Sequence, residues 1–247
     1  VMKFLKITVL ILILISHGNA NTISYLIKIP NLEIYNNNSS NGLRYLKAIK
    51  AFQVGVRDNN VLCSKPNNKS IDKKFKIIKK NLDRYSVDFL DKINLKYIVL
   101  CEDLYVSDIP AAGIPNYKMR TIIINIKFNK YNLGRTIHHE LFHIIYENHK
   151  NHYNADAWSK FNDSKFIYAK CSTCSDRLDL TLYENTDGFL SEYSKSTASE
   201  DMAETFSFLM TDKKKIEDKA LKDPILNKKI LFIKKNILKI DENFKFE

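Results

Sequence analysis

Arginine is scarce in this sequence, and no segment has the basic residues arranged as in a nucleic-acid binding site. The 247 residues include six Arg against 33 Lys, and the formal net charge is +11. We find no arginine cluster and no basic patch interleaved with aromatic residues. An A+T-rich genome would produce this excess of Lys without any functional cause. The basic balance therefore does not indicate nucleic acid, and we expect no such partner.

Long hydrophobic runs are also missing, except near the N-terminus. Lys3 and Lys6 precede an apolar run over residues 7–15, and the small residues Gly18 and Ala20 follow it. This pattern is typical of a secretory signal peptide, residues 1–20, cut near Ala20. An uncleaved membrane anchor is the alternative, although the run is shorter than the roughly 20 residues that a spanning helix needs. We expect a secreted, periplasmic or extracellular mature chain with no membrane span.

Cysteine occurs at only four positions, and a second CxxC pair is absent. A zinc knuckle would need that second pair, and a redox CxxC should open a helix rather than lie in a polar segment. An even number of cysteines in an exported protein indicates disulfides. We expect a local Cys171–Cys174 bridge and a second bridge between Cys63 and Cys101. No cysteine lies near the predicted cleavage position, so we do not expect a lipid anchor.

Internal repeats are lacking as well, and 45% of the residues are hydrophobic. This content predicts one folded domain over residues 21–247. We expect an N-terminal α/β part at 21–100, a core at 101–247 that contains the motifs described below, and a monomeric state. Apolar spacing predicts helices over Ile71–Phe89, Arg135–Asn148, Ser199–Met210 and Leu226–Ile240, and strands over Leu95–Cys101 and Met119–Phe128. Residues 31–42, 105–116 and 150–190 are predicted to be loops.

The stretch "RTIHHELFHIIYENH" contains His139, Glu140 and His143 in the spacing HExxH. Residues four apart lie on one face of a helix, so both imidazoles can reach one metal ion. Glu140 would project beside that metal, where it can take a proton from a water molecule. The opposite face is apolar and is expected to pack on the core. The alternative is an ordinary helix with surface histidines.

Catalytic zinc needs a third protein ligand, and His149 is one candidate. His149 stands six residues after His143, where the metzincin pattern HExxHxxGxxH has its third histidine. That pattern needs a glycine three residues earlier to end the helix, and Tyr146 occupies the position here. A bulky residue does not easily adopt the required turn, so His149 is the weaker candidate.

The other candidate lies in "SEDMAETF", where Ser199 is the predicted N-cap of a helix. Glu200 and Glu204 are four residues apart and share a face. The rest of this helix is apolar, and burying a lone carboxylate is costly. A metal with its histidines would offset that cost. An exposed acidic first turn that complements the helix dipole is the alternative.

The segments "HHELFH" and "GFLSEYSKSTASEDMAETF" resemble the gluzincin metallopeptidases, in particular the branch of lethal factor and Pro-Pro endopeptidase. That branch has HExxH, then a tyrosine, and seven residues later the ligand glutamate of an ExxAE stretch. Tyr193, Glu200, Ala203 and Glu204 stand at these places. The resemblance covers roughly residues 119–210. It implies an α+β, zincin-like domain with a small twisted sheet, an active-site helix carrying HExxH and a second helix carrying the glutamate.

The resemblance also implies a zinc site and its chemistry. One Zn²⁺ per chain would be held by His139, His143 and Glu200, with a water molecule in the fourth position. Glu140 would act as general base on that water and then pass the proton to the leaving amine. The implied protein is a secreted zinc-dependent endopeptidase acting on protein or peptide substrates.

Supporting residues follow from the same resemblance. Tyr193 would donate a hydrogen bond to the developing oxyanion, and Glu204 would orient a ligand histidine. The strand Met119–Phe128 would pair with an extended substrate. Two alternatives to the enzyme stay open, namely a catalytically inactive binding protein with a zincin fold, and a basic secreted adhesin with incidental histidines.

Overall fold

The computed structural model describes residues 31–36, 38–54, 60–106, 108–127 and 130–246. The predicted signal peptide at 1–20 lies outside the described residues. Within them, no helix is both long enough and apolar enough to cross a membrane. The described part is mixed α+β with two small sheets.

The larger sheet has five strands in the order β1-β2-β5-β9-β8. They are β1 (Leu32–Asn36), β2 (Arg44–Ala48), β5 (Tyr97–Cys101), β9 (Thr121–Asn125) and β8 (Gly113–Asn116). The three inner strands are parallel, and both edge strands pair antiparallel with their neighbours. The inner strands β5 and β9 are nearly continuous apolar runs, as strands covered on both faces require.

The smaller sheet is antiparallel throughout, and its strands are interspersed in the sequence with those of the larger sheet. Its strands are β3 (Phe52–Val54), β4 (Val61–Cys63), β6 (Leu104–Val106) and β7 (Ile109–Pro110). The Cys63–Cys101 disulfide joins β4 to β5 and so links the two sheets. The second disulfide, Cys171–Cys174, closes a local turn. Both predicted pairings are confirmed.

The described helices are α1 (Asn68–Leu82), α2 (Val87–Lys92), α3 (Lys130–Asn148), α4 (Ala155–Ser159), α5 (Ala198–Thr211), α6 (Lys213–Ala220) and α7 (Pro224–Ile240), with a 3₁₀ turn at Tyr193–Lys195. Helix α3 carries HExxH and α5 carries the candidate glutamates. The apolar face of α3 is buried as predicted, through Ile137, Leu141, Ile144 and Ile145. It packs with α5 in the main core, which holds the two helices in fixed register.

Several predicted boundaries were wrong. The helix predicted over Ile71–Phe89 is two helices, because Ser86 caps α2 by accepting a hydrogen bond from Phe89 N at 3.1 Å. The predicted loop 31–42 contains β1. The many asparagines in this segment favour a loop, but residues 32–36 form a short edge strand because they pair with β2.

The predicted loop 105–116 contains the end of β6 and all of β7 and β8. Its prolines, Pro110 and Pro115, suggested a loop, but proline is tolerated in edge strands, where no neighbour needs its missing N–H. Strand β8 is such an edge. The predicted strand Met119–Phe128 is the shorter β9, and it lies inside the sheet between β5 and β8.

Candidate metal centre and active site

Helices α3 and α5 bring two histidines and a glutamate to one point. His139 Nε2 lies 2.9 Å from Glu200 Oε2, and His143 Nε2 lies 3.2 Å from the same oxygen. The two Nε2 atoms are 3.1 Å apart. Three possible ligand atoms thus form a nearly equilateral triangle, and the structure brings together the three residues predicted to bind metal.

The size of this triangle fits zinc. Zinc bonds of about 2.0–2.2 Å in a tetrahedral site place ligand atoms roughly 3.3 Å apart. The second nitrogen of His139, Nδ1, lies 3.0 Å from Glu204 Oε1, where Nδ1–H donates to the carboxylate. In the neutral imidazole, this bond keeps the proton on Nδ1 and leaves the Nε2 lone pair directed at the triangle. A histidine, histidine and carboxylate donor set is typical of catalytic zinc.

The electrostatics of the triangle favour a cation. Burial opposes a charge on His139, but hydrogen bonds and the charges of Glu200 and Glu204 raise its pKa well above the ordinary value. Burial also opposes ionisation of Glu200. The charges of His143 and His139 and their hydrogen bonds outweigh it and hold the Glu200 pKa below its usual range. Glu200 therefore stays an anion although it is only 9% exposed.

The local structure of α5 explains why Glu200 reaches this position. Thr197 has an extended backbone, and its side-chain oxygen accepts a hydrogen bond from Glu200 N at 3.2 Å. Thr197 is therefore the N-cap, and the prediction of Ser199 was wrong, because Ser199 already lies within the first turn. Glu200 consequently sits in the first turn of α5, where the helix dipole stabilises a carboxylate.

Glu204 lies one turn further along α5 and is almost fully buried. Its Oε1 faces His139 Nδ1, and its Oε2 accepts a hydrogen bond from Ser191 Oγ at 2.9 Å. Both oxygens are thus held, which fixes the ring orientation of His139. Sequence reasoning did not identify Ser191, since a lone serine between a leucine and a glutamate carries no recognisable signal.

Glu140 is buried on α3 beside the edge strand β8. A Cβ atom added to Gly113 would lie 2.5 Å from Glu140 Cγ, so the β8 backbone approaches this side chain as closely as only glycine allows. Burial raises the pKa of Glu140, against the opposing charges of His139 and His143. A carboxylate with a raised pKa next to a metal-sized site is a suitable proton acceptor.

Tyr193 lies in the 3₁₀ turn that precedes α5. Its ring centroid is 6.0 Å from that of His139, with the planes inclined by 34°. Burial, followed by the charges of Glu200 and Glu140, raises the pKa of Tyr193. The phenol therefore keeps its proton at neutral pH and can donate a hydrogen bond near the triangle.

His149 is not part of this cluster. Its Nε2 hydrogen-bonds to the carbonyl oxygen of Lys92 at 2.9 Å. Helix α3 continues through Tyr146 to Asn148, so the chain does not turn back towards His139. The reason is the one anticipated from sequence, because a metzincin-like return needs glycine where Tyr146 stands.

The strand next to the site differs from the expectation. Strand β9 is inside the sheet and its backbone groups pair with β5 and β8. The strand that borders Glu140 with one edge unpaired by the sheet is β8. Strand β9 therefore lacks the free edge that pairing with an extended peptide requires, whereas β8 has one.

Comparison with known proteins agrees with this geometry. Residues 112–242, more than half of the chain, match the family model described as "Putative zinc-binding metallo-peptidase". A crystal structure described as that of a putative zinc-binding metallo-peptidase from Bacteroides caccae is similar in fold, with a TM-score of 0.51 and 17% sequence identity. The alignment covers 93% of this chain and 87% of that chain. No curated protein matched the chain.

Proposed function

Because the chain belongs to the family of putative zinc-binding metallo-peptidases, we propose that it is a zinc-dependent endopeptidase with Glu140 as its general base. The observation that carries the proposal is the His139, His143 and Glu200 triangle, with a buried glutamate next to the first histidine on the same helix. A binding protein or an adhesin would need neither three possible metal ligands at one point nor a proton acceptor beside them.

Within zinc peptidases, we assign the site to the gluzincin type and the fold to the zincin arrangement. The third ligand is a glutamate from a separate helix, and it stands seven residues after a tyrosine that neighbours the same site. The contact between Glu204 and His139 supports this assignment further. The motifs around both helices also resemble the branch of lethal factor and Pro-Pro endopeptidase, and we propose that the chain is similar to that branch.

The chemistry divides among a few side chains. When bound, zinc would supply a Lewis acid that polarises a carbonyl oxygen and lowers the pKa of water. Glu140, with its raised pKa, accepts the proton of the attacking water and returns it to the leaving amine. His139, held by Glu204, and His143 keep their Nε2 lone pairs on the metal position.

Substrate is held by backbone and by Tyr193. Strand β8 offers its outer edge to an extended peptide, which fits a protein or peptide substrate. The Tyr193 phenol, which stays protonated, donates to the oxyanion that develops on the scissile carbonyl. These roles need no contact with a particular side chain of the substrate.

The setting of the enzyme is also a proposal. The N-terminal pattern of residues 1–20 supports export, cleavage near Ala20 and action outside the cytoplasm. Two disulfides among the described residues are consistent with an oxidising compartment. We further propose that residues 21–247 act as one monomeric domain with one zinc ion.

The test compares zinc-loaded wild-type protein with Glu140→Gln on a peptide library. We expect both proteins to hold about one zinc by metal analysis. Wild type should cut a subset of peptides, and Glu140→Gln should be slower by roughly 10²–10⁴-fold, the usual contribution of a general base. Zinc without any cleavage would favour the binding protein, and absence of zinc would favour the adhesin. Equal rates for both proteins would remove Glu140 from the mechanism.

A further inference from the structure

We propose that Arg135 forms a subsite for a carboxylate of the peptide substrate, one helical turn from the metal position. This inference rests on the proposed peptidase function and adds a substrate class to it. The carboxylate comes either from an acidic side chain or from the C-terminus of the peptide, and the two sources share one chemistry.

The position of Arg135 follows from the packing of α3 against α5. Two stripes at four-residue spacing face each other, Arg135, His139 and His143 on α3, and Glu200, Glu204 and Phe208 on α5. Their contacts run in opposite order along the two helices: His143 with Glu200, His139 with Glu204, and Arg135 with Phe208. The Arg135 and Phe208 pair is therefore the next pair beyond the metal triangle.

A cavity of about 470 Å³ opens at this pair. The segment 178–182 also lines this cavity and includes Leu178, Leu180 and Leu182. The same segment reaches the active-site tyrosine, because Tyr193 N donates to the Asp179 carbonyl oxygen at 2.9 Å. Two structural links thus join the cavity lining to the triangle, helix α3 and the hydrogen bond between Asp179 and the Tyr193 turn.

Arg135 is suited to receive an anion here. Its guanidinium carbon lies 4.5 Å from the centre of the Phe208 ring, which is buried. Stacking uses the face of the guanidinium and leaves the N–H groups, which lie in its plane, for a ligand. A planar guanidinium binds a carboxylate through two parallel hydrogen bonds.

Two acidic side chains, Asp179 and Asp212, also line the cavity, and each accepts a hydrogen bond from a neighbouring residue. Asp179 Oδ1 accepts a hydrogen bond from Thr181 N at 2.9 Å, which is the first cause of its lowered pKa, and the charge of Arg135 lowers that pKa further. Asp212 Oδ2 accepts from Thr211 Oγ1 at 3.0 Å. Lys215 adds a second cation to the lining. The lining thus carries two cations and two carboxylates beside three leucines, and a substrate carboxylate would compete with Asp179 for the Arg135 guanidinium.

The experiment measures both cleavage and binding. Zinc-loaded wild type, Arg135→Met and Arg135→Lys are profiled on a peptide library that places Glu or Gln at each position around the cut, with free or amidated C-termini. Binding is measured with pairs of peptide hydroxamates in which one member carries Glu and the other Gln. One series of pairs extends from the hydroxamate towards the N-terminus of the peptide and the other towards its C-terminus. Arg44→Met, in β2 and outside the cavity lining, controls for the lost charge.

We expect wild type and Arg44→Met to prefer the carboxylate at one position by roughly 10- to 100-fold, the value of a charged hydrogen bond. Arg135→Met should lose this preference, and Arg135→Lys should keep only part of it. Dependence on a Glu side chain identifies a side-chain subsite, and dependence on the free terminus identifies C-terminal recognition.

The proposal would be overturned if wild-type protein cleaved and bound Glu and Gln peptides equally well, and likewise peptides with a free or an amidated C-terminus. Cleavage without such a preference would leave the peptidase function standing and remove the subsite. Conversely, Arg135-dependent hydroxamate discrimination without cleavage of any peptide would support the subsite and contradict the proposed catalysis.

Discussion

Two neighbouring histidines on α3 have opposite environments. His139 faces α5, where two carboxylates raise its pKa. His138 faces α1 and the loop that follows, where its Nδ1 lies 2.5 Å from Tyr85 Oη and its Nε2 lies 3.0 Å from Asn81 Oδ1. Burial, with a contribution from the charge of Arg84, lowers the pKa of His138 to about 3. Both side chains are buried, so their partners rather than their burial separate the candidate metal ligand His139 from the structural His138.

Helix α5 repeats the contrast with two acidic residues. Glu200 faces the histidines, whereas Asp201 faces α7 and the segment before α5. Asp201 Oδ2 contacts Lys229 Nζ at 2.7 Å, Trp158 Nε1 at 2.8 Å and Tyr168 Oη at 2.6 Å. The first face converges on a point that fits a cation, and the second already contains its own cation in Lys229.

Each of the two helices thus has one side that faces the candidate metal site and one side that anchors it to neighbouring elements. Asp201 and Lys229 attach α5 to α4 and α7, and His138 attaches α3 to α1. These contacts hold the two helices at the separation that brings His139 and Glu200 within 2.9 Å. Variants on the two sides should therefore fail in different ways.

The largest effect is expected from Glu200→Ala. It removes one of three ligand atoms and leaves two histidines, which do not complete a zinc site. We expect loss of bound zinc and of peptidase activity, measured by metal analysis after dialysis and by a cleavage assay. His149→Ala is the matched control and should retain both. The reverse pattern would transfer the third-ligand role to His149.

Lys229→Met tests the anchoring side of α5. The change leaves the buried Asp201 carboxylate without its cation, and breaking a buried pair in this way costs about 3–5 kcal/mol of unfolding free energy. Denaturant unfolding should show this loss, while each folded molecule still binds zinc. The double variant Asp201→Asn with Lys229→Met removes both charges and should lose less stability. A double variant as unstable as the single one would contradict the account.

Tyr193→Phe tests the hydrogen-bond donor next to the triangle. Only the hydroxyl is removed, so zinc content and melting temperature should stay near the wild-type values. We expect kcat to fall by roughly 10²–10³-fold, or about 2.7–4 kcal/mol of barrier, with little change in KM. Steady-state kinetics on a cleaved library peptide measures this. A large loss of stability at unchanged kcat would make Tyr193 a packing residue instead.

His138→Leu should have the smallest effect of the four. It removes the partner of Tyr85 and Asn81 and leaves buried polar groups unpaired, at a cost of about 1–3 kcal/mol. Zinc binding should persist, because His138 points away from α5. Denaturation curves with and without zinc measure both properties. Loss of zinc at full stability would erase the distinction between the two neighbouring histidines.

Local patterns in the sequence predicted the elements that carry the site. The HExxH spacing and the apolar period of α3 are properties of a single helix, and so is the pairing of Glu200 with Glu204. Helical spacing also located α7, with the N-cap at Asp223 left undetermined. These features need no knowledge of neighbouring elements, which is why they could be predicted.

Features that depend on distant partners were missed. Strand β8 contains Pro115 and becomes a strand only because β9 pairs with it. Gly113 is needed by Glu140 from another element, and Ser191 matters only because Glu204 lies opposite. The anchoring pair of Asp201 and Lys229 joins two helices across 28 residues of sequence. The spacing of apolar residues within one element does not predict contacts between distant elements.

The most direct test of the central claim is anomalous diffraction at the zinc edge from crystals of the zinc-loaded protein. We predict one strong peak per chain, about 2.0–2.2 Å from His139 Nε2, His143 Nε2 and a carboxylate oxygen of Glu200. A peak bound by His149 in place of Glu200, or no peak between the two motif histidines, would contradict the account.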